Sequence, residues 1–336
     1  MKIASIATFG ICLIASAAAH AETKVGVVAG GPHPYFASWP LAAADAAKDF
    51  GVITDYRVPQ AWDLNQQNQL IESMVAQGFN GMLVFANDAD GTNATLKDLA
   101  DDGIPSIALG ACTNDPTPAL LCLTTDSYAS AYDMTKRLIA EMGGKGNIVH
   151  VAGALIDPNT QLRVKAVEEA VSETNGAVTL IQTLADIDEQ GAADRTINGY
   201  LGGNAAKVDG IIATAWIPAV VAATSLRNIG DRRIKMIGFN DDPIVVSAVK
   251  DGYLFGTMLQ NPYGQVYLGT YILSKLANGC TLKDDAAWIA SPQTKHFIDS
   301  GSAYVDASNI DQATGKQRAA TKAVLATFDE KYLSCP

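Results

Sequence analysis

Short apolar, β-branched segments alternate with longer segments of helical period along most of the chain. Several of the short segments are apolar at almost every position, which is typical of strands covered on both faces. This alternation favours βαβ units, in which helices flank a parallel sheet, so we predict an α/β fold. The predicted strands are Lys24–Val28, Ile53–Arg57, Gly81–Phe85, Ser106–Leu109, Asn147–Val151, Val178–Thr183, Gly210–Ala213, Lys235–Phe239 and Phe255–Leu259.

The chain is long enough for two hydrophobic cores, because single cores stop growing near about 250–300 residues. A short crossing strand at Leu120–Thr125, followed by Asp126 as a helix cap, divides the alternation. We therefore predict two similar lobes, each with a parallel sheet flanked by helices, joined by a multi-strand hinge, with a ligand cleft between them. The predicted helices are Trp39–Phe50, Leu64–Gln77, Ala94–Asp102, Tyr128–Met142, Thr160–Thr174, Gln190–Gly202, Ile217–Asn228, Pro243–Lys250 and Tyr263–Ala277.

The two lobes are interleaved along the chain. We expect the N-terminal lobe to contain residues 22–125 and about 261–290, and the C-terminal lobe residues 126–260 and about 291–305. Residues 306–336 form a C-terminal extension, and the helical period of Ala319–Tyr332 predicts one more helix there.

The first 21 residues have the pattern of a secretory signal peptide. Lys2 precedes the apolar stretch Ile3–Ala19, and Ala19-His20-Ala21 has the small residues of a cleavage site. The stretch is too short and too rich in alanine for a convincing membrane span. We therefore expect a mature chain that starts at Glu22, is located in the periplasm and is not embedded in a membrane.

Four cysteines remain once the leader, which contains Cys12, is removed. An even number in an oxidising compartment indicates disulfides, with three possible connectivities. We favour Cys112–Cys122, which closes a short proline-containing loop, together with Cys280–Cys335, which would fasten the C-terminal tail.

Charge and motifs exclude several function classes. With 24 basic and 35 acidic residues the net charge is −11, which opposes binding to nucleic acid or to an anionic membrane. The four histidines are dispersed and no close cysteine pair has a histidine partner, so we expect no metal site. No complete dinucleotide-binding, P-loop or Gly-x-Ser-x-Gly motif occurs, so we expect no cofactor and no enzymatic activity.

Aromatic and amide side chains follow the predicted strands. Loops after parallel strands meet at one edge of the sheet, where ligands bind. Aromatic rings stack on the C–H faces of sugars, while amides pair with hydroxyls. The candidate ligand-binding residues from this pattern are His33, Tyr35, Phe36, Phe85, Asn87, Trp216, Asn240 and Gln260.

The ordered segments of the chain resemble the type I periplasmic solute-binding proteins, the ribose-binding-like group that serves sugar ABC transporters. The segments are Val25–Phe36, Gly81–Asp90, Gly103–Leu109, Thr124-Thr125-Asp126, Ile237–Asp241 and Gly256–Gln260. The resemblance implies that Tyr35 and Phe36 form an aromatic pair against the ligand and that His33 makes a polar contact. It adds Arg163, a guanidinium that grips sugar hydroxyls, to the candidate residues.

Two departures from the family pattern change the expected pocket. Gly110-Ala111 stands where many relatives have Asp-Arg, and Ala215-Trp216 where many have Asn-Asp. The pocket is therefore less charged and more aromatic. The resemblance implies capture of a small neutral sugar or polyol and its delivery to an ABC transporter permease by lobe closure, and we expect the chain to be a monomer.

Other interpretations remain open at the level of sequence. The chain could be a periplasmic sensor that presents its ligand to a histidine kinase or chemoreceptor, or a secreted α/β enzyme. A cytoplasmic repressor is opposed by the signal peptide and by the absence of a DNA-binding headpiece before Lys24. At the candidate site, Tyr35 and Phe36 could be core residues, and Arg163 could pair with Glu168 or Glu169.

Overall fold

A computed structural model of the chain describes residues 22–336. The predicted signal peptide lies outside the described residues. Two six-stranded sheets flanked by helices form two lobes, so the predicted α/β fold with two similar lobes is confirmed. Within residues 22–336, no helix combines the length and the apolar character that crossing a membrane requires.

The predicted strands are formed, and most agree with their predicted bounds. In chain order the strands are β1 (Lys24–Val28), β2 (Ile53–Arg57), β3 (Gly81–Phe85), β4 (Ser106–Leu109), β5 (Cys122–Thr124), β6 (Gly146–Val151), β7 (Val178–Leu184), β8 (Gly210–Ala213), β9 (Lys235–Phe239), β10 (Gly256–Leu259), β11 (Thr281–Leu282), β12 (Phe297–Asp299), β13 (Ala303–Val305) and β14 (Leu333–Ser334).

The predicted helices are also formed, and all but the last begin and end within two residues of the prediction. In chain order they are α1 (Trp39–Phe50), α2 (Leu64–Ala76), α3 (Thr92–Asp101), α4 (Ser127–Glu141), α5 (Pro158–Ser172), α6 (Gln190–Asn204), α7 (Trp216–Ile229), α8 (Pro243–Lys250), α9 (Pro262–Ala277) and α10 (Ala313–Tyr332). A short 3₁₀ turn, Pro34–Ser38, precedes α1.

Both sheets follow the order of a doubly wound fold. The first sheet is entirely parallel, in the order β12-β5-β4-β3-β1-β2, and the second has the order β13-β10-β9-β8-β6-β7, with β13 antiparallel to β10. The central strands β3, β4 and β8 are buried at every position because helices cover both of their faces. The carboxyl ends of both sets of strands face the gap between the lobes.

One expected boundary needs correction. We expected residues 291–305 to belong to the C-terminal lobe, but β12 lies in the first sheet, parallel to β5, and only β13 joins the second sheet. The segment between them is therefore a further crossing between the lobes. A strand of three residues buries little surface of its own. Which sheet it joins therefore depends on the strand with which it pairs.

Three crossings form the hinge, and hydrogen bonds tie them together. The Thr125 hydroxyl lies 3.4 Å from the Ser300 hydroxyl, and Asn261 Nδ2 donates to the Ser300 carbonyl oxygen at 2.7 Å. The backbone N–H of Asp126 donates to Asp299 Oδ1 at 3.1 Å. Asp126 also caps α4, as predicted, by accepting from the N–H of Ala129.

The C-terminal extension runs along the hinge and contacts both lobes. In the second lobe Lys250 pairs with Asp311 at 2.5 Å. At the hinge Asn261 Nδ2 donates to the Thr321 hydroxyl at 3.0 Å. In the first lobe Lys275 pairs with Asp329 at 2.9 Å. The C-terminal extension therefore fastens the two lobes and the crossings between them, with α10 making the contacts at the hinge and in the first lobe.

Both predicted disulfides, Cys112–Cys122 and Cys280–Cys335, are formed, so the chosen connectivity is confirmed. The first closes the loop between β4 and β5 beside the cleft. The second joins the segment after α9 to the residues after β14, so that the end of the C-terminal extension is held on the first lobe.

Candidate functional site

A cavity lies between the lobes where the strands of both sheets end. Its volume, measured as the space open to the centre of a water-sized sphere, is about 70 Å³. Seven of the nine candidate residues line it, namely His33, Tyr35, Phe36, Phe85, Arg163, Trp216 and Gln260. The two sheets thus bring together side chains that are up to 227 residues apart in sequence.

The first lobe contributes a rigid aromatic wall centred on Phe36. The Phe36 ring lies edge to face with Phe85 at 5.1 Å and with Trp39 at 4.8 Å, measured between ring centroids. Only 2% of Phe36 is exposed. Such edge-to-face contacts stabilise each ring position. Phe36 is therefore both a core residue and part of the cavity wall, and the two interpretations of its role do not exclude each other.

Tyr35 supplies a hydroxyl whose proton is firmly held. It donates to Gln265 Oε1 at 2.8 Å. Burial raises the pKa of Tyr35 to about 12, although the hydrogen bond to Gln265 and the charge of Arg163 oppose this rise. The phenol is thus neutral at any physiological pH and orients one edge of its ring toward the cavity.

The position where relatives carry an acidic residue has no room for a side chain here. A Cβ atom added at Gly110 would lie 2.9 Å from Phe85 Cδ2 and 3.3 Å from Tyr35 Cε1. The φ angle of Gly110 is +71°, a conformation that glycine adopts at little cost. The rings of Phe85 and Tyr35 therefore leave no space for a side chain at Gly110.

The second lobe places a buried positive charge in the cavity. Arg163 on α5 is 6% exposed, and its guanidinium carbon lies 4.7 Å from the centre of the Phe239 ring. Its Nη2 donates to the Ser127 hydroxyl at a long 3.4 Å, and its Nε has no hydrogen-bond partner within residues 22–336. Burial lowers the pKa of Arg163, and the carboxylate of Asp157 opposes this effect.

An ion pair within α5 does not explain the position of the Arg163 guanidinium. Among the described residues neither Glu168 nor Glu169 forms an ion pair with it. A guanidinium has five N–H donors, and buried donors without partners cost free energy on the order of 1–3 kcal/mol. The unused donors of Arg163 are therefore available to hydroxyl oxygens of a molecule in the cavity.

Two carboxylates that the strand pattern did not single out also line the cavity. Asp157 caps α5 by accepting from the N–H of Asn159 at 3.0 Å, and burial raises its pKa while Arg163 opposes the rise. Asp188 follows β7, and its Oδ1 lies 3.8 Å from His33 Nε2 on the other lobe. Both residues follow predicted strands, so the rule that selected the other candidates applies to them too.

Three further cavity residues were not predicted: Trp62, Asn159 and Phe239. Asn159 links the lobes, because its Nδ2 donates to the Gly110 carbonyl oxygen at 2.9 Å and its Oδ1 accepts from Ser127. Trp62 lies in the loop between β2 and α2, five residues after the strand, so the rule that selected the other candidates could have found it too. Phe239 is the last residue of β9 and was assigned to the strand alone.

Two candidates do not line this cavity. The Asn240 amide is turned inward, donating from Nδ2 to the Trp216 carbonyl oxygen at 3.2 Å and accepting from the N–H of Asp242 at 2.9 Å. The φ angle of Asn240 is +112°, a backbone conformation that residues other than glycine rarely adopt. Asn87 lies in an adjoining outer cavity, where its Nδ2 donates to the Gly30 carbonyl oxygen at 2.9 Å.

Comparison with known proteins gives a consistent result. A family model described as a periplasmic binding protein domain matches residues 26–281. A xylitol-binding protein of Mycolicibacterium smegmatis is 24% identical over 237 residues, which cover 70% of this chain and 67% of that protein. A D-apiose import binding protein of Actinobacillus succinogenes is 22% identical over 268 residues, which cover 79% of this chain and 86% of that protein.

Solved structures share the fold. An ABC transporter solute-binding protein of Burkholderia graminis, in complex with D-arabinose, superposes with a TM-score of 0.76 at 20% identity. The match covers 87% of this chain and 97% of that one. A solute-binding protein of Bacillus halodurans with bound myo-inositol has the same TM-score at 17% identity, covering 88% of this chain and 99% of that one.

Proposed function

Because the chain belongs to the periplasmic binding protein domain family, we propose that it captures a small neutral sugar or polyol between its lobes and delivers it to an inner-membrane ABC permease. The observation that carries this proposal is Arg163, whose buried guanidinium lies against Phe239 with donors left free. Hydroxyl groups of a sugar supply the acceptors that these donors lack. The chain binds its ligand without changing it chemically.

The charges in the cavity support a neutral ligand. The carboxylates of Asp157 and Asp188 line it together with the single guanidinium of Arg163. A sugar acid or sugar phosphate would therefore meet more negative than positive charge. The ligands named for the similar proteins support the same conclusion, since xylitol, D-apiose, D-arabinose and myo-inositol are all uncharged.

Cavity residues from both lobes contact the ligand, and they do so in different ways. Tyr35, Phe36 and Phe85 on the first lobe and Trp216 on the second present faces or edges of rings to the C–H groups of the ligand. His33, Arg163 and Gln260 hydrogen-bond its hydroxyls. Asn240 acts indirectly, because its amide holds the backbone of Trp216 and the loop of Asp242 in place.

Lobe closure completes the site in this proposal. The ligand docks on one lobe, and the other lobe then closes over it and excludes water. The bond from Asn159 to the Gly110 carbonyl oxygen and the approach of His33 to Asp188 are contacts that only a closed cleft can make. The permease would recognise this closed form. We infer that the chain binds its ligand and closes over it in the periplasm and as a monomer.

A thermal-shift screen of the mature, oxidised protein tests the proposal. The panel contains pentoses, hexoses, tetritols, pentitols, inositols and sugar acids, because a ligand that binds only the folded state raises the melting temperature. We expect a shift with one neutral class that saturates at micromolar concentration. Shifts with sugar acids alone, or with no member of the panel, would refute the proposal.

A further inference from the structure

A second, larger cavity adjoins the first toward the mouth of the cleft. Its volume, measured in the same way, is about 430 Å³. The two cavities share five lining residues, namely His33, Trp62, Phe85, Asp157 and Asp188. The outer walls come from both lobes, as the inner walls do. The cleft is therefore a continuous space with a small inner part and a larger outer part.

The outer cavity has an apolar surface on each lobe. Trp62 on the first lobe is 51% exposed, although Phe36 and Phe85 pack against its ring. Ile156 on the second lobe is 81% exposed, and Ile217 lies beside it in the lining. Large side chains that stay exposed on two facing walls provide a surface for the flat face of a ring.

The same cavity also has polar groups that lack partners. Asn87 Oδ1 and Asp188 Oδ1 are buried and have no hydrogen-bond partner among residues 22–336. A buried polar atom without a partner costs on the order of 1–3 kcal/mol. Apolar walls together with unpaired polar atoms suit a ligand group that has both a C–H face and hydroxyls.

The inner cavity alone fits only one small ring. At about 70 Å³ it has roughly a sixth of the volume of the outer cavity, which is about 430 Å³. The outer cavity is several times larger, so a single sugar would leave most of the cleft filled with water. The geometry therefore has room for a second ring beside the first.

We propose that the outer cavity is a second subsite and that the preferred ligand is a neutral glycoside, with one sugar or polyol ring in the inner cavity and a second ring between Trp62 and Ile156. The proposal rests on the proposed function and narrows its substrate class. An alkyl chain as the second group would cover the apolar walls but leave the Asn87 and Asp188 atoms unpaired. The carboxylates of Asp157, Asp188 and Glu189 disfavour a second group with negative charge.

Isothermal titration calorimetry with matched sugars tests the second subsite. The mature, oxidised chain is titrated with D-xylose and xylobiose, D-glucose and cellobiose, D-galactose and melibiose, and myo-inositol and galactinol. We expect at least one two-ring sugar to bind ten or more times tighter than its one-ring partner, which corresponds to about 1.4 kcal/mol.

The variant Ile156→Asp locates the second ring. A carboxylate on the outer wall removes the apolar contact, so we expect the ratio of two-ring to one-ring affinity to fall at least fivefold. Ile156 is mostly exposed, so the substitution does not disturb the core. The matched control is Ile229→Asp, at an exposed isoleucine at the end of α7 outside both cavities, which should leave the ratio unchanged.

The outcomes separate this inference from the proposed function. If one-ring sugars bind and their two-ring partners bind no better, the second subsite is refuted while the proposed function stands. If two-ring sugars bind tighter but Ile156→Asp leaves the ratio unchanged, the second ring lies elsewhere and the inference is also refuted. If neither the one-ring nor the two-ring series binds, and the thermal-shift panel is silent, both proposals fail.

Discussion

Arg163 places a positive charge in a buried position, where it forms no ion pair among residues 22–336. Burial of an ion that lacks a close partner costs free energy, and replacement by an apolar residue of similar length removes that cost. We therefore expect Arg163→Met to raise the melting temperature of the ligand-free protein while it weakens ligand binding at least tenfold. Calorimetry and thermal melting of the same preparation measure both effects.

An exposed arginine provides the control for this substitution. Arg195→Met on α6 removes one positive charge outside the cavity and should change neither affinity nor melting temperature appreciably. If Arg163→Met binds ligand as the wild type does, Arg163 does not belong to the site. If it binds weakly and also melts earlier than the wild type, the buried charge is not a cost to the fold.

His150 predicts a pH dependence of stability. It is buried on β6, with Nε2 2.7 Å from the Thr214 hydroxyl, and burial lowers its pKa from 6.5 to about 3, with a smaller contribution from Arg163. Below pH 6.5 the unfolded chain binds a proton at His150 that the folded chain rejects until about pH 3. Folding thus loses about 1.4 kcal/mol per pH unit from this residue as the pH falls through that window.

The variant His150→Gln isolates this effect. We expect its melting temperature to fall less steeply than that of the wild type between pH 6.5 and pH 4.5, because glutamine does not titrate. Thr214→Val removes the same hydrogen bond without removing the imidazole, so it should lower the melting temperature but keep the wild-type slope. Parallel slopes for wild type and His150→Gln would show that the folded chain binds this proton as readily as the unfolded chain does, and would contradict the lowered pKa of His150.

At the residue scale, the sequence predicts which loops form the site. It predicts less accurately which atoms of those loops face the ligand. Six of the candidates chosen from the strand pattern lie in the cavity because loops after parallel strands must meet at one edge of the sheet, and Arg163, which the family resemblance added, lies there too. Asn240 follows its strand equally closely, yet its amide is held by backbone groups of Trp216 and Asp242 and does not line the cavity. The conformation of a loop depends on contacts with neighbouring loops, so a strand pattern does not determine it.

At the element scale, strands and helices with a strong pattern were predicted almost to the residue. β1 and β3 are apolar runs between polar turns, and α1 ends at Gly51, whose left-handed conformation stops a helix. β12 and β13 were missed because three residues carry no usable period. The start of α10 was predicted six residues late, since its first turns are rich in polar residues.

The C-terminal disulfide should act on stability rather than on binding. Cys280 and Cys335 are 55 residues apart, and opening such a loop costs about 4 kcal/mol by the chain-entropy estimate. We expect the double variant Cys280→Ser and Cys335→Ser to melt several degrees lower while its ligand affinity stays as in the wild type, because the bond lies outside both parts of the cleft.

Removal of the other disulfide should have a different effect on melting temperature and ligand binding. Cys112 and Cys122 are 10 residues apart, so the same estimate gives a smaller loss, about 3 kcal/mol. Their loop begins two residues after Gly110 in the cavity, so we expect the double serine variant to weaken binding as well.

An unchanged melting temperature without Cys280–Cys335 would contradict the prediction for the C-terminal disulfide. It would mean that the other contacts of α10 hold the extension by themselves.

At the scale of the whole molecule, the hinge and α10 define how the lobes move. Small-angle X-ray scattering of the ligand-free protein should give a larger radius of gyration than the ligand-bound protein, which we expect near the value of about 20 Å for a compact chain of this length. A sugar that produces no thermal shift serves as the control. An identical radius with and without ligand would refute closure as the mechanism.

The path of the chain through the two lobes also determines the order in which the lobes can be completed during synthesis. The first sheet is begun by β1 but receives β12 only after the whole second sheet except β13 has been made, and Phe328 of α10 completes the same core. During synthesis the first lobe therefore has unfilled positions until nearly the whole chain has emerged from the ribosome. A chain with this delay stays incompletely folded for as long as it is being made, which is the condition that a translocation channel for unfolded polypeptides requires.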